Sequence, residues 1–127
     1  MQPGRMSCLL LALLLLAGCS IRRDNLILRV KRLVQEQKDY RTAHELIAAE
    51  VARSPGSAPC RYWLAIVESN LGRHERAARE MEKALSLGLY HTYHPTAYHL
   101  LGWAQLRSGR PAAARESFAR LLRLQPG

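Results

Sequence analysis

The side chains best able to do chemistry sit in two places. One is the stretch Tyr90-His91-Thr92-Tyr93-His94-Pro95-Thr96-Ala97-Tyr98-His99, which carries three Tyr/His pairs and the imidazoles of His91, His94 and His99. Imidazoles grouped in this way can ligate a divalent metal, so a metal-binding protein using this loop is one function the residues admit. Structural zinc, however, takes four ligands and catalytic zinc three held rigidly. No carboxylate lies nearby in sequence to complete a set, and no HExxH pair occurs. His91 and His94 precede Pro95 in what reads as a linker, so the stretch is better read as an aromatic loop that packs on the domain or meets a partner. The other place is the set of cysteines, Cys8, Cys19 and Cys60. Cys60 has no base at a recognisable spacing and reads as a small buried hydrophobe. No Ser-His-Asp pattern, phosphate loop or paired-carboxylate signature stands out, so no enzyme, cofactor or small-molecule substrate is expected.

Cys19 closes an unusual segment. Leu9 to Ala17 contains only Leu and Ala, and Arg5 is the only charge before it. A membrane-spanning helix needs about 20 apolar residues, and a core helix would show a polar face; this run has neither property. It fits the apolar region of a secretory signal followed by small residues at a cleavage point. Leu16-Ala17-Gly18-Cys19 resembles the lipobox of bacterial lipoproteins. That resemblance implies acylation of the Cys19 sulfur, removal of residues 1–18, and a mature chain of 127 − 18 = 109 residues. Ser20, rather than Asp, follows the cysteine, which implies the inner leaflet of the outer membrane, facing the periplasm. A mature chain of this size is one domain. Its net charge falls from +9 to +8 on loss of Arg5, and its basic character suits an acidic partner or anionic lipid; export and the lack of any recognised motif exclude nucleic acid.

The elements that position these residues come in copies. Leu64–Leu85 aligns without a gap on Leu101–Leu122, an offset of 37 that pairs Gly72 with Gly109, Ala77 with Ala114 and Met81 with Phe118. A weaker copy lies 34 residues earlier, with Val30, Ala43, Ile47 and Pro55 in matching places. Apolar residues recur at helical spacing, and a glycine that can adopt positive φ separates the two halves of a copy. The pattern predicts helices over 24–37, 40–53, 58–71, 74–87, 95–108 and 111–124.

This pattern resembles the tetratricopeptide repeat; Tyr98, Leu101, Gly102, Gly109, Ala114, Phe118 and Pro126 of the third copy all fit the family's consensus. The resemblance implies an all-α fold, three helix pairs stacked as a short right-handed solenoid. Residues 1–18 would be signal, 19–23 a lipidated cysteine and short tether, and 24–57, 58–94 and 95–127 the repeats. The first copy has Lys38 where the turn glycine belongs. The family binds peptides in a groove lined by the first helix of each pair, which here implies Leu28, Arg32, Gln35, Tyr62, Ile66, Asn70, His99, Trp103 and Arg107. The set used by chaperone-binding members is not reproduced, because Leu28 and Ile66 fall on two of its places. The expected function is a lipid-anchored adaptor or assembly factor of the envelope, similar to the pilotins that serve pilus and secretion machineries. An adaptor for peptidoglycan enzymes needs the same groove and anchor. Oligomeric state is not legible. Arg22, Arg23, Arg29, Lys31 and Arg32, close behind the anchor, are expected to face lipid head groups.

Overall fold

The computed structural model describes residues 3–124, with side chains from Cys8 onward; Pro126 and Gly127 lie outside the described residues. The chain is all-α. Helix α1 spans Pro3–Arg32 and widens into a π turn at Leu33–Gln37. Then come α2 (Tyr40–Arg53), α3 (Ala58–Asn70), α4 (His74–Ser86), a 3₁₀ turn at His91–Tyr93, α5 (His94–Arg107) and α6 (Pro111–Leu124). Helices α2 to α6 start and end within one residue of the positions the periodicity predicts.

Helix α1 does not. A start at residue 24 is overturned, because the helix is continuous from the leucine run through Cys19 and into the first repeat. The tether expected at 19–23 is therefore helical, and Ser20–Arg23 span about 6 Å at helical rise rather than an extended reach. Leu and Ala are strong helix formers, and the lone Gly18 costs only about 1 kcal/mol, so nothing in the segment stops the helix. The leucines from Leu9 to Leu16 are all more than half exposed, so they take no part in the core. Apolar packing against the stack begins at Leu26 and Ile27 and becomes complete at Val30.

Each helix packs on the next in the chain, and the first helices of successive pairs, α1 with α3 and α3 with α5, also touch. Ala43, Ala77 and Ala114, one per pair, are buried to within 1% of completely, as close helix crossings require. The ends of α3 and α5, the turns within a pair, share one closing motif. Gly88 at φ 85° repeats it at the end of α4, with Leu89 N–H on the Ala84 carbonyl at 3.1 Å. Gly72 at φ 77° and Gly109 at φ 78° turn the chain back. Arg73 N–H then reaches the Glu68 carbonyl at 2.9 Å, and Arg110 N–H the Gln105 carbonyl at 2.8 Å. In the first pair Lys38 takes the same left-handed role at φ 55°, and the closing bond, from Asp39 N–H to the Leu33 carbonyl at 3.0 Å, spans one residue more. The π turn is the consequence of that wider closure. A left-handed conformation costs a residue with a Cβ about 1–2 kcal/mol, which glycine avoids. Asp39 then caps α2, accepting from Thr42 N–H at 3.2 Å and Thr42 O–H at 2.7 Å; these bonds hold its carboxyl below the usual range.

Candidate functional site

Between α1 and the start of α3 lies a cleft of about 430 Å³ lined by Ile27, Leu28, Pro59, Tyr62, Trp63, Leu89 and Tyr93, with Ser20, Arg23 and Asp24 at its polar end. Its apolar wall with a few polar groups, set between helices, has the size and composition of a binding cleft. Three features of the sequence build it. Ser57 caps α3, accepting from Cys60 N–H at 3.4 Å, and Pro59 occupies the first turn, which fixes where Tyr62 and Trp63 emerge. Second, the three residues by which this repeat exceeds the preceding one fold as the 3₁₀ turn His91–Tyr93. That turn lays Tyr93 beside Tyr62, with ring centroids 5.1 Å apart, while Leu89 is buried beneath. Third, α1 lacks a bulky polar residue at Leu28, which is 60% exposed on the opposite wall.

Tyr62 itself is only 5% exposed and packs edge-on against Trp63 at 5.6 Å. That burial pushes its phenol pKa up, against a smaller downward pull from Thr96. Cys60 is fully buried, and burial likewise pushes its thiol up, the setting of a packing residue rather than a nucleophile.

Of the expected groove residues, the cleft unites Leu28 and Tyr62 and omits Arg32, Gln35, Ile66, Asn70, His99, Trp103 and Arg107. Asn70 turns its amide back onto the Ile66 carbonyl at 2.8 Å. Trp103 stands edge-on to Phe118 at 5.8 Å and donates its indole N–H to His99 at 3.3 Å. Arg32, Gln35 and Arg107 are exposed on their helices. Sequence reasoning missed the rest of the apolar wall, Ile27, Pro59, Trp63, Leu89 and Tyr93, and the polar end at Ser20, Arg23 and Asp24. The signal that could have found Tyr93 is the insertion itself, since extra residues rich in aromatics must fold somewhere.

The histidines are already engaged. His94 Nε2 lies 2.8 Å from the Leu89 carbonyl, and the His91 ring lies 4.5 Å from that of Tyr90. Among the described residues, no group of three or more His, Cys, Asp or Glu gathers at metal-ligand spacing, and no helix is long and apolar enough to cross a membrane.

The basic set behind Cys19 needs one correction. Arg23 reaches across to α2, with Nη2 3.5 Å from Ser54 Oγ and Nε 3.9 Å from Glu50 Oε1. Arg53 holds the other oxygen of Glu50 at 3.2 Å. Arg23 thus ties α1 to α2 and is not a free lipid-facing charge, whereas Arg22, Arg29, Lys31 and Arg32 are exposed.

Stacked helix pairs with one small residue at each crossing, and a cleft lined in part by first helices, define a helical-repeat protein that binds other proteins. The chain belongs to the tetratricopeptide-repeat family: the family pattern, described as Tetratricopeptide repeat, matches residues 57–126, more than half of the sequence. Members of such a family act in general as non-catalytic scaffolds. Among solved structures, the chain is similar to MamA (residues 41 to the end) from Desulfovibrio magneticus RS-1, with 25% identity and a TM-score of 0.62. That likeness covers 77% of this chain and 55% of the other, so the chain spans little more than half of that relative. No curated protein matches the sequence.

Proposed function

We propose that this protein is a lipid-anchored adaptor or assembly factor of the bacterial envelope, acylated at Cys19 and held at the inner leaflet of the outer membrane. There it captures a protein segment in service of pilus or secretion machinery, in the manner of a pilotin. The observation that carries the binding half is the cleft between Leu28 and Tyr62, apolar, aromatic and closed by Tyr93. An aromatic or aliphatic anchor from a partner peptide fits it, because such anchors concentrate binding energy in desolvated pockets. The anchoring half is supported by the Leu16-Ala17-Gly18-Cys19 motif and by leucines that pack on nothing in the domain. Acyl chains contribute about 0.8 kcal/mol per buried methylene, so more than one chain gives stable attachment.

Two measurements test the two halves. Cells fed an azido-palmitate should label the wild-type chain and not Cys19→Ser; equal label would refute the anchor. Tyr93→Ala, which opens the cleft without touching the α-helical core, should weaken capture of an envelope partner about tenfold while leaving the circular dichroism spectrum unchanged. Undiminished capture would refute the cleft.

A further inference from the structure

The outer face of the third helix pair is apolar and uncovered among the described residues. A groove of about 530 Å³ runs between α5 and α6, lined by Leu106, Pro111, Ala114, Phe118, Ala119 and Leu122, with Arg115 at its edge. Leu122 is 71% exposed, Trp103 46% and Leu106 44%. The matching residues of the second pair show what such a face ordinarily meets. Met81, Ala77 and Ala78 are fully buried, and Glu82 accepts from Gln105 of α5 at 3.1 Å, so α5 covers that face. The third face therefore has the shape that receives a helix.

Its chemistry differs from the second in a way that specifies the occupant. At the offset of 37, buried Ala78 becomes Arg115, Ser69 becomes Leu106 and Asn70 becomes Arg107. The acids of residues 58–124 are Glu68, Glu75, Glu80, Glu82 and Glu116, and each already holds a cation within 4 Å. Arg107 and Arg115 have no acid within that distance among the described residues. A second copy of the chain, docked face to face, would present the same two arginines and no unpaired acid of residues 58–124 to meet them. We infer that this end is a docking face for an amphipathic α-helix of a different protein. Its apolar stripe covers Trp103, Leu106, Phe118 and Leu122, and its flanking Asp or Glu residues pair with Arg107 and Arg115. This rests on the protein-binding reading above and not on the lipid anchor, so the azido-palmitate result cannot decide it.

The test uses the full chain in detergent micelles and two fluorescein-labelled stapled helices of about four turns with one leucine stripe, flanked by Glu in one and by Lys in the other. The Glu helix should bind, the Lys helix should bind at least about tenfold more weakly, and Arg107→Glu/Arg115→Glu should reverse that order. Both arginines are exposed and unpaired, so the variant folds; its thermal melt provides the check. No binding of the Glu helix, or equal binding of both helices, overturns the proposal. So does concentration-dependent dimerisation of the chain alone that Leu122→Asp abolishes, which would assign the face to a second copy. In phosphatidylglycerol vesicles, quenching by brominated lipid that Trp103→Phe removes would assign it to a lipid surface and equally overturn the proposal. Unchanged binding of the Glu helix to Tyr93→Ala separates this face from the cleft.

Discussion

The outer faces of the second and third helix pairs are built to one plan and have different fates. In the second pair, α5 lies over α4, and Ala77, Ala78 and Met81 are core. In the third pair, Ala114 is buried by its own pair alone, Phe118 is half-buried and Leu122 stands in solvent. The pairing of small and large residues differs too. At the offset of 37, Ala65 and the flexible Met81 become Gly102 and the rigid Phe118. A Cβ on Gly102 would fall 2.7 Å from the Phe118 ring, closer than real contacts allow. A helical repeat thus buries a face only by spending the next helix on it, and an uncovered face can diverge into a recognition surface.

The largest expected effect comes from placing one side chain in both copies. Ala77→Leu overpacks a site enclosed on all sides and should cost toward 3 kcal/mol of the roughly 1–3 typical of added bulk. Ala114→Leu, with the groove beside it, should cost nearer 1 kcal/mol on the same scale. Urea unfolding of the two variants reads the difference, and equal costs would mean that the third face is covered after all.

Next in size is Gly102→Ala, expected to cost about 2 kcal/mol because the aromatic ring must shift. Adding Phe118→Met should recover most of this, since a thioether adapts its shape. A double-mutant cycle with no coupling would break the claim that Phe118 is what requires a glycine at 102.

How much of this was legible in the sequence differs along the chain. Helices α2 to α6 were, because apolar period, turn glycine and cap residues agree there. The start of α1 was not: a repeat pattern locates where packing begins, at Leu26, but a helix continues backward until something stops it, and Leu and Ala do not. Lys38 was placed at the first turn by its repeat position, but its left-handed backbone and the π turn before it have no sequence signature. Leu28 and Tyr62 were found from their repeat positions, but Tyr93 reaches the cleft through an insertion that lies outside the repeat. Trp103 was named with the groove residues, but spacing alone could not show that its ring stands against Phe118 of α6.

Lys38→Gly should stabilise the chain by about 1 kcal/mol by relieving the left-handed lysine, making the first turn like those at Gly72 and Gly109. A lower melting temperature would show that the Lys38 side chain has a role the backbone does not reveal. Smallest of all, Leu122→Ser should change stability by no more than about 0.5 kcal/mol, the scale of surface substitutions. The matched Leu85→Ser should cost more, because Leu85 packs against the core cluster.

The most direct measurement compares amide hydrogen exchange in α4 with that in α6 of the same molecule. With the Glu-flanked helix absent, α6 should exchange at least tenfold faster than α4, because fewer buried contacts oppose its local opening. Saturating Glu-flanked helix should slow α6 toward the rate of α4 and leave α4 unchanged. Equal protection of the two helices before any helix is added, or no slowing of α6 afterwards, would contradict the account.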